Sequence, residues 1–303
     1  MPVSDHNQLA KTPDSKIEWP TLALFFLTYG GWLALTAYHA YLPPLLVVVV
    51  LTLLVTLHSS LQHEVIHGHP TPWEPVNIAL AFPALGLAVA YQRYEILHLQ
   101  HHRNWLLTDP NDDSESYFLP RKHWLKLSTI LQRLLNFNNT LLGRLLVGPA
   151  IMIVRLVSRE FAHCKKCSET SRAWLLHLLS AALILCWLVM VDFSLMLYLF
   201  AVAYPASSLL MLRAYGEHVP EEDVDLRSAI VKSNWLMRLL YLNNNYHRVH
   251  HDYPEAAWYE LPELYRREYQ LHTDHVYKGY RELFNLYGVR QRFPVAHPFL
   301  ARD

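Results

Sequence analysis

Residues 42–69 read LPPLLVVVVLTLLVTLHSSLQHEVIHGH. Two prolines open a long apolar run, and the stretch closes on HEVIHGH, with histidines at 63, 67 and 69. The apolar part, residues 42–58, lies at the lower end of the ~17–25 residues that a helix needs to cross the hydrocarbon core of a bilayer. Imidazoles titrate near neutral pH and bind metals. A membrane helix that ends in histidines therefore needs partners elsewhere in the chain if the cluster is to carry chemistry.

Three further stretches are apolar enough to cross, and the four form two pairs: residues 22–38 with 42–58, and 174–191 with 193–212. Basic residues set their orientation. Two lysines precede the first pair, twelve basic residues lie in 59–173, twelve lie from Arg213 onward, and neither connecting turn holds one. Cytoplasmic segments carry the excess of lysine and arginine, so both hairpins point away from the cytoplasm. The fold expected is an all-α integral membrane protein. It has about four transmembrane helices in two hairpins plus interfacial helices, with a cytoplasmic helical cap that binds metal.

As one domain over residues 1–303, the chain divides into a cytoplasmic tail (1–20), a first hairpin (22–58), a cytoplasmic and interfacial segment (59–173), a second hairpin (174–212) and a second cytoplasmic segment (213–303). Both termini are expected in the cytoplasm. Residues 76–91, which contain Pro83 and Gly86, and residues 141–157, interrupted by Arg144 and Arg155, read as interfacial or re-entrant helices. Shielded cytoplasmic helices and a six-span topology are the alternatives. Long apolar stretches also occur as buried helices of soluble proteins, but the basic-residue pattern argues against that.

The balance of 26 basic and 26 acidic residues argues against nucleic-acid binding, which calls for a basic excess. The N-terminal residues lack the apolar core and small-residue cleavage site of a secretory signal. Cys164, Cys167 and Cys186 are too few for a disulfide framework. The pair in HCKKC reads as two unrelated thiols, with a redox or zinc site as the alternative.

Nineteen histidines among 303 residues are many, and their placement is not scattered. HLQHH supplies His98, His101 and His102, and HRVHH supplies His247, His250 and His251. Positions i, i+3 and i+4 share a helix face, so each triplet presents its imidazoles together, as does the pair His63 and His67. Eight imidazoles exceed what a single ion takes, and they suit two ions with room left for water or dioxygen. Spacing does not identify the metal, because imidazole accepts several divalent ions. His6, His39, His123, His163, His177, His272, His275 and His297 read as surface or packed residues, and His58 and His69 as structural or supporting ones.

The three clusters, in this order and on one side of the membrane, resemble the histidine boxes of the membrane fatty acid desaturase superfamily. That superfamily also holds membrane hydroxylases, carotenoid ketolases and alkane monooxygenases. The likeness extends to TDPNDDSESYF after the second box and NNNYHRVHHDYPEAAWYELP around the third, which look like bacterial members. It implies a non-haem di-iron centre, two iron ions with O2 as co-substrate, that attacks an unactivated C–H bond in a fatty acyl or lipid substrate. In a bacterium, the inner membrane would house it.

Carried over by position, the ligands are His63, His67, His98, His101, His102, His247, His250 and His251. His218 in AYGEHVP is a ninth candidate. Acyl-CoA desaturases have an extra histidine at about that place, with an asparagine four residues before it; here that position is Ala214, and a capping or interfacial role is the alternative. Glu217 reads as a ligand, a supporting acceptor or a solvated acid. A ligating imidazole usually donates its other N–H to a carboxylate or carbonyl, a role open to Asp109, Asp112, Asp113 and Asp252. Asn243, Asn244 and Asn245 either hold water near the metals or end a helix.

The sequence has no H-P-G-G haem motif and no ferredoxin cysteine run, so electrons are expected from a separate donor: a ferredoxin, a rubredoxin-like protein or a cytochrome b5. Desaturation is preferred, with hydroxylation or ketolation as the alternative. A metal transporter is the competing class, and it would place its ligands within the spans.

Overall fold

The computed structural model describes residues 16–103, 106–271 and 274–299. Five of its helices are long and apolar enough to cross a membrane: α1 (Trp19–Ala37), α2 (Pro44–Ile66), α7 (Leu141–Cys164), α8 (Ser168–Met190) and α9 (Leu195–Glu217). Between α2 and α7 come α3 (Glu74–Ala81), α4 (Tyr91–Arg103), α5 (Arg121–Lys126) and α6 (Thr129–Asn138). After α9 the chain forms α10 (Trp235–Leu240), α11 (His247–Asp252), α12 (Leu261–Leu264) and α13 (Tyr280–Tyr287). Strands β1 (Ile230–Val231) and β2 (Val276–Tyr277) pair in parallel, Ile230 opposite Val276.

α2 starts at Pro44, where a missing N–H is harmless and a fixed φ suits the first turn. It runs past the expected end at residue 58 into HEVIHGH, and stops where Gly68 takes φ +93°. The first histidine pair is thus carried by the membrane helix itself. Residues 76–91 differ from the single interfacial or re-entrant helix expected. Helix covers only Glu74–Ala81, and turns follow until Tyr91. Pro83, which disfavours helix in the residue before it and clashes with the preceding turn, accounts for the break.

Residues 141–157 lie in one continuous helix that extends to Cys164, so there are five candidate spans rather than four. Both ends of α7 are tied to the segments around it. At its start Leu142 N–H donates to the Gly288 carbonyl (2.9 Å). Towards its end Glu160 accepts from Arg93 at 2.6 and 3.0 Å, and Arg159 donates to the Ser114 carbonyl.

Two apolar clusters hold the long helices together. One joins Phe25, Leu57, Leu61 and Val65 to Tyr215 and Tyr241; the other joins Trp32, Leu51 and Val55 to Leu188, Tyr198 and Val202. Prolines inside these helices free carbonyls that hydrocarbon cannot satisfy. Pro149 in α7 releases the Leu145 carbonyl, which accepts from Ser208 Oγ of α9 at 2.8 Å. Pro205 in α9 follows a π-helical stretch, Tyr198–Ala203, and the Ala201 carbonyl accepts from Thr52 Oγ1 of α2 at 3.2 Å. Carbonyls freed by proline in one helix are thereby satisfied by hydroxyls of another.

Candidate metal centre

Two short helical segments and two helix ends converge above these clusters. His63 lies in the last turn of α2 and His67 caps it; His98, His101 and His102 lie on α4; His218 follows α9; His247, His250 and His251 lie on α11. The nine sort into two groups, His63, His67, His98, His102 and His250 in one and His101, His218, His247 and His251 in the other. Within each group, one ring nitrogen per residue lies within 4.8 Å of every other.

Each H-x-x-H-H segment is split between the groups. On α4, His98 and His102 face the five-membered group and His101 the other; on α11, His247 and His251 face the four-membered group and His250 the other. Each triplet therefore serves two foci rather than one. His218 completes the second group, its Nε2 lying 3.0 Å from His101 Nε2 and 2.9 Å from His247 Nε2. The groups touch where His102 and His251 stack, ring centroids 4.3 Å apart.

The far sides of four of the rings are anchored. His98 Nδ1 meets Glu115 Oε1 at 2.7 Å, and His101 Nδ1 meets Asp113 Oδ1 at 2.7 Å. His247 Nδ1 faces Asn244 Oδ1 at 3.1 Å, and His218 Nδ1 donates to the Arg227 carbonyl at 3.2 Å. Asn244 in turn donates to Glu217, whose carboxylate lies 2.9 Å from Arg213 Nε. Of the four aspartates expected to serve, Asp113 does. Asp109 instead accepts from the backbone N–H groups of Asn111 and Asp112, Asp112 is exposed, and Asp252 pairs with Arg248. Glu115 and the Arg227 carbonyl were not anticipated. Glu115 lies seventeen residues beyond His98, a separation that no helical spacing rule connects.

These anchors dictate what the inner nitrogens present. A ring that donates Nδ1–H to a carbonyl turns an unprotonated Nε2 inward, as His218 and His247 do. These two Nε2 atoms lie 2.9 Å apart, close enough for one cation to be shared between them. Burial holds His67, His102, His247, His250 and His251 well below the usual imidazole range, in the neutral form that ligates metal. Burial opposes charge on His101 too, but Glu115 and Asp113 outweigh it and raise His101 to about 9, a proton that a metal ion would have to displace. His63 Nε2 is buried without a hydrogen-bond partner.

The other histidines have ordinary partners or are exposed. His58 bonds Tyr29, His69 pairs with Glu18, His39 bonds the Thr36 carbonyl, His177 the Leu87 carbonyl, His275 Glu221 and His297 Thr108. His123 and His163 are exposed, while His6 and His272 lie outside the described residues. Asn243 and Asn245 donate to the Trp258 and Val231 carbonyls, so two of the three asparagines serve the backbone. Cys164 and Cys167 are free thiols.

The sequence model of the fatty acid desaturase family matches residues 39–282, which include all nine histidines. Comparison with curated proteins gives no match, and comparison with solved structures gives none.

Proposed function

The chain belongs to the fatty acid desaturase family, and from that premise we propose that it is an O2-dependent lipid desaturase in which the nine histidines hold two iron ions. The observation that carries this reading is the division of nine imidazoles, six buried and three half-buried, into two convergent groups, with four of the rings held by protein on their far side. Neighbouring Nε2 atoms stand 2.9–3.2 Å apart. With metal–imidazole bonds of about 2.1 Å, ligands at right angles stand about 3.0 Å apart and tetrahedral ones about 3.4 Å. The spacing fits ions with five or six ligands better than four-coordinate zinc.

Bound there, two iron ions would supply the oxidising power to convert –CH2–CH2– to –CH=CH–, the two hydrogens removed joining O2, two electrons and two protons to leave as two waters. The electrons come from a separate donor, a ferredoxin, rubredoxin-like protein or cytochrome b5. The chain's own residues position and exclude. Asp113, Glu115 and Asn244 fix the ring orientations, and burial keeps bulk water from the inner nitrogens. A cavity of about 70 Å³ between α2, α7 and α9, lined by Val55, Leu87, Met152, Leu210 and Met211, reaches Gln62, next to His63.

The same geometry bears on topology. Histidines from before α7 and after α9 meet, so an even number of the three helices between them crosses. With both ends of α7 tied to the histidine-bearing segments, α7 lies along the membrane face while α1, α2, α8 and α9 cross. The basic-residue bias supports a cytoplasmic metal centre and cytoplasmic termini.

The test is mass spectrometry of lipids from a host expressing the chain with a ferredoxin reductant, against His101→Ala. A product lighter by two hydrogens, absent from the variant, is expected. A product heavier by one oxygen would make the protein a hydroxylase and overturn the reading.

A further inference from the structure

A second cavity, of about 240 Å³, lies away from the histidines between α6, α7, the 117–119 strip and Val295. Leu119, Leu127, Leu135 and Ile151 make it apolar, yet Arg144 and Arg155 also line it. Arg144 is 5% exposed. Its Nε donates to the Asn138 carbonyl at 3.1 Å, its Nη2 to Asn139 Oδ1 at 3.3 Å, and its guanidinium lies 4.3 Å from the centre of the Tyr117 ring. Arg155 donates to the Ser116 carbonyl at 3.4 Å.

All these partners are neutral. Among the described residues neither guanidinium has a carboxylate partner, and the charges that Arg155 senses are those of Arg144 and Arg159. Two like charges, Arg144 buried and Arg155 half-buried, are costly with no counter-charge, and the protein leaves space beside them. Asn138 Oδ1, on a residue of the same wall, is buried without a partner and can accept from a hydroxyl or ammonium. The helices that frame the cavity expose Ile130, Leu134 and Phe137 on α6 and Leu146, Val154 and Val157 on α7, a surface for hydrocarbon rather than water.

We propose that this cavity binds a membrane glycerophospholipid, its phosphate between Arg144 and Arg155 and its acyl chains along the exposed faces of α6 and α7. The match is one of charge and of layers: a phosphate supplies the missing counter-charge, a glycerol or ethanolamine group the donor for Asn138, and the chains cover the apolar faces. A free fatty acid or an inorganic anion meets only part of this. Arg155 holds the carbonyl of Ser116, the residue after Glu115, so the bound lipid braces the loop that orients His98 and His101.

The experiment needs no activity and so fails independently of the desaturase reading. The full chain, purified in detergent and stripped of lipid, is titrated with short-chain phosphatidylglycerol and weighed by native mass spectrometry. One lipid per chain is expected, with binding weakened about tenfold or more by Arg155→Gln, the loss of one charged hydrogen bond. Arg144→Gln weakens it further, and because Arg144 also braces backbone, the half-buried Arg155 carries the decision. Equal binding by R155Q overturns the proposal. So does equal uptake of neutral diacylglycerol, which would mark a merely apolar groove, or of inorganic phosphate alone, which would mark an anion site without a lipid.

Discussion

The two histidine groups draw on the same pair of H-x-x-H-H segments in opposite proportion. The five-membered group takes two rings from α4, one from α11 and two from the end of α2. The four-membered group takes two from α11, one from α4 and the single His218. Their anchoring differs in the other direction. Asp113, Asn244 and the Arg227 carbonyl hold three of the four rings in the smaller group, whereas Glu115 on His98 is the corresponding anchor in the larger. On the proposed reading, the smaller group would rely on orientation and the larger on ligand number. The pattern suggests that a site short of one imidazole is held by fixing those it has.

The largest expected effect breaks the smaller group. His247→Ala leaves three rings there, and iron should fall from about two per chain to about one, with desaturation lost beyond the roughly 10–100-fold that removal of an outer partner costs. His67→Ala leaves four rings in the larger group, and most of its iron should stay. Elemental analysis of the two purified variants decides. Equal loss of iron from both would refute the contrast between number and orientation.

Removing an anchor should have a smaller effect. Asp113→Asn is expected to weaken iron binding about 100-fold and Glu115→Gln about tenfold, the two ends of the range for partners of ligating histidines. Chelator competition measures both. A larger effect at Glu115 would reverse the assignment of which group depends on its anchors.

The smallest effect concerns the strap that holds the Asp113 loop. His297, brought in by backbone hydrogen bonds between residues 119 and 295–297, bonds Thr108, whose N–H donates to Asp113 at 2.8 Å. Burial, with Arg227 adding to it, lowers His297 to about 4. Its folded pKa lies below the unfolded value of about 6.5. The stability it contributes is therefore present above about 6.5 and lost as pH falls through about 4. His297→Gln should flatten the fall in melting temperature between those limits. An unchanged slope would show that the strap does not depend on a neutral His297.

How much of this was legible in the sequence follows from the range of each interaction. The membrane helices were readable because hydropathy is a property of consecutive residues. Their ends were less so: α2 continues into HEVIHGH because the histidines are buried against other segments, which hydropathy does not register. The reading of 76–91 as one helix failed at Pro83, a local signal outweighed there by apolar length. The i, i+3, i+4 spacing picked out eight histidines, which the structure gathers into the two groups. Glu115 was not, because the loop that returns it to His98 follows no periodicity.

By itself, then, the sequence determined an α-helical membrane chain whose histidines gather at helix ends, since hydrophobic length and helical spacing are local. Only the tertiary structure decided which histidines act together. His101 and His102 are adjacent, but successive helical residues point about 100° apart, so each looks towards a different set of neighbours. Those neighbours come from helices far apart in the chain, brought together by the packing of α2 and α9. Whether His218 joins them, and which carboxylate turns each ring, are likewise outcomes of that packing.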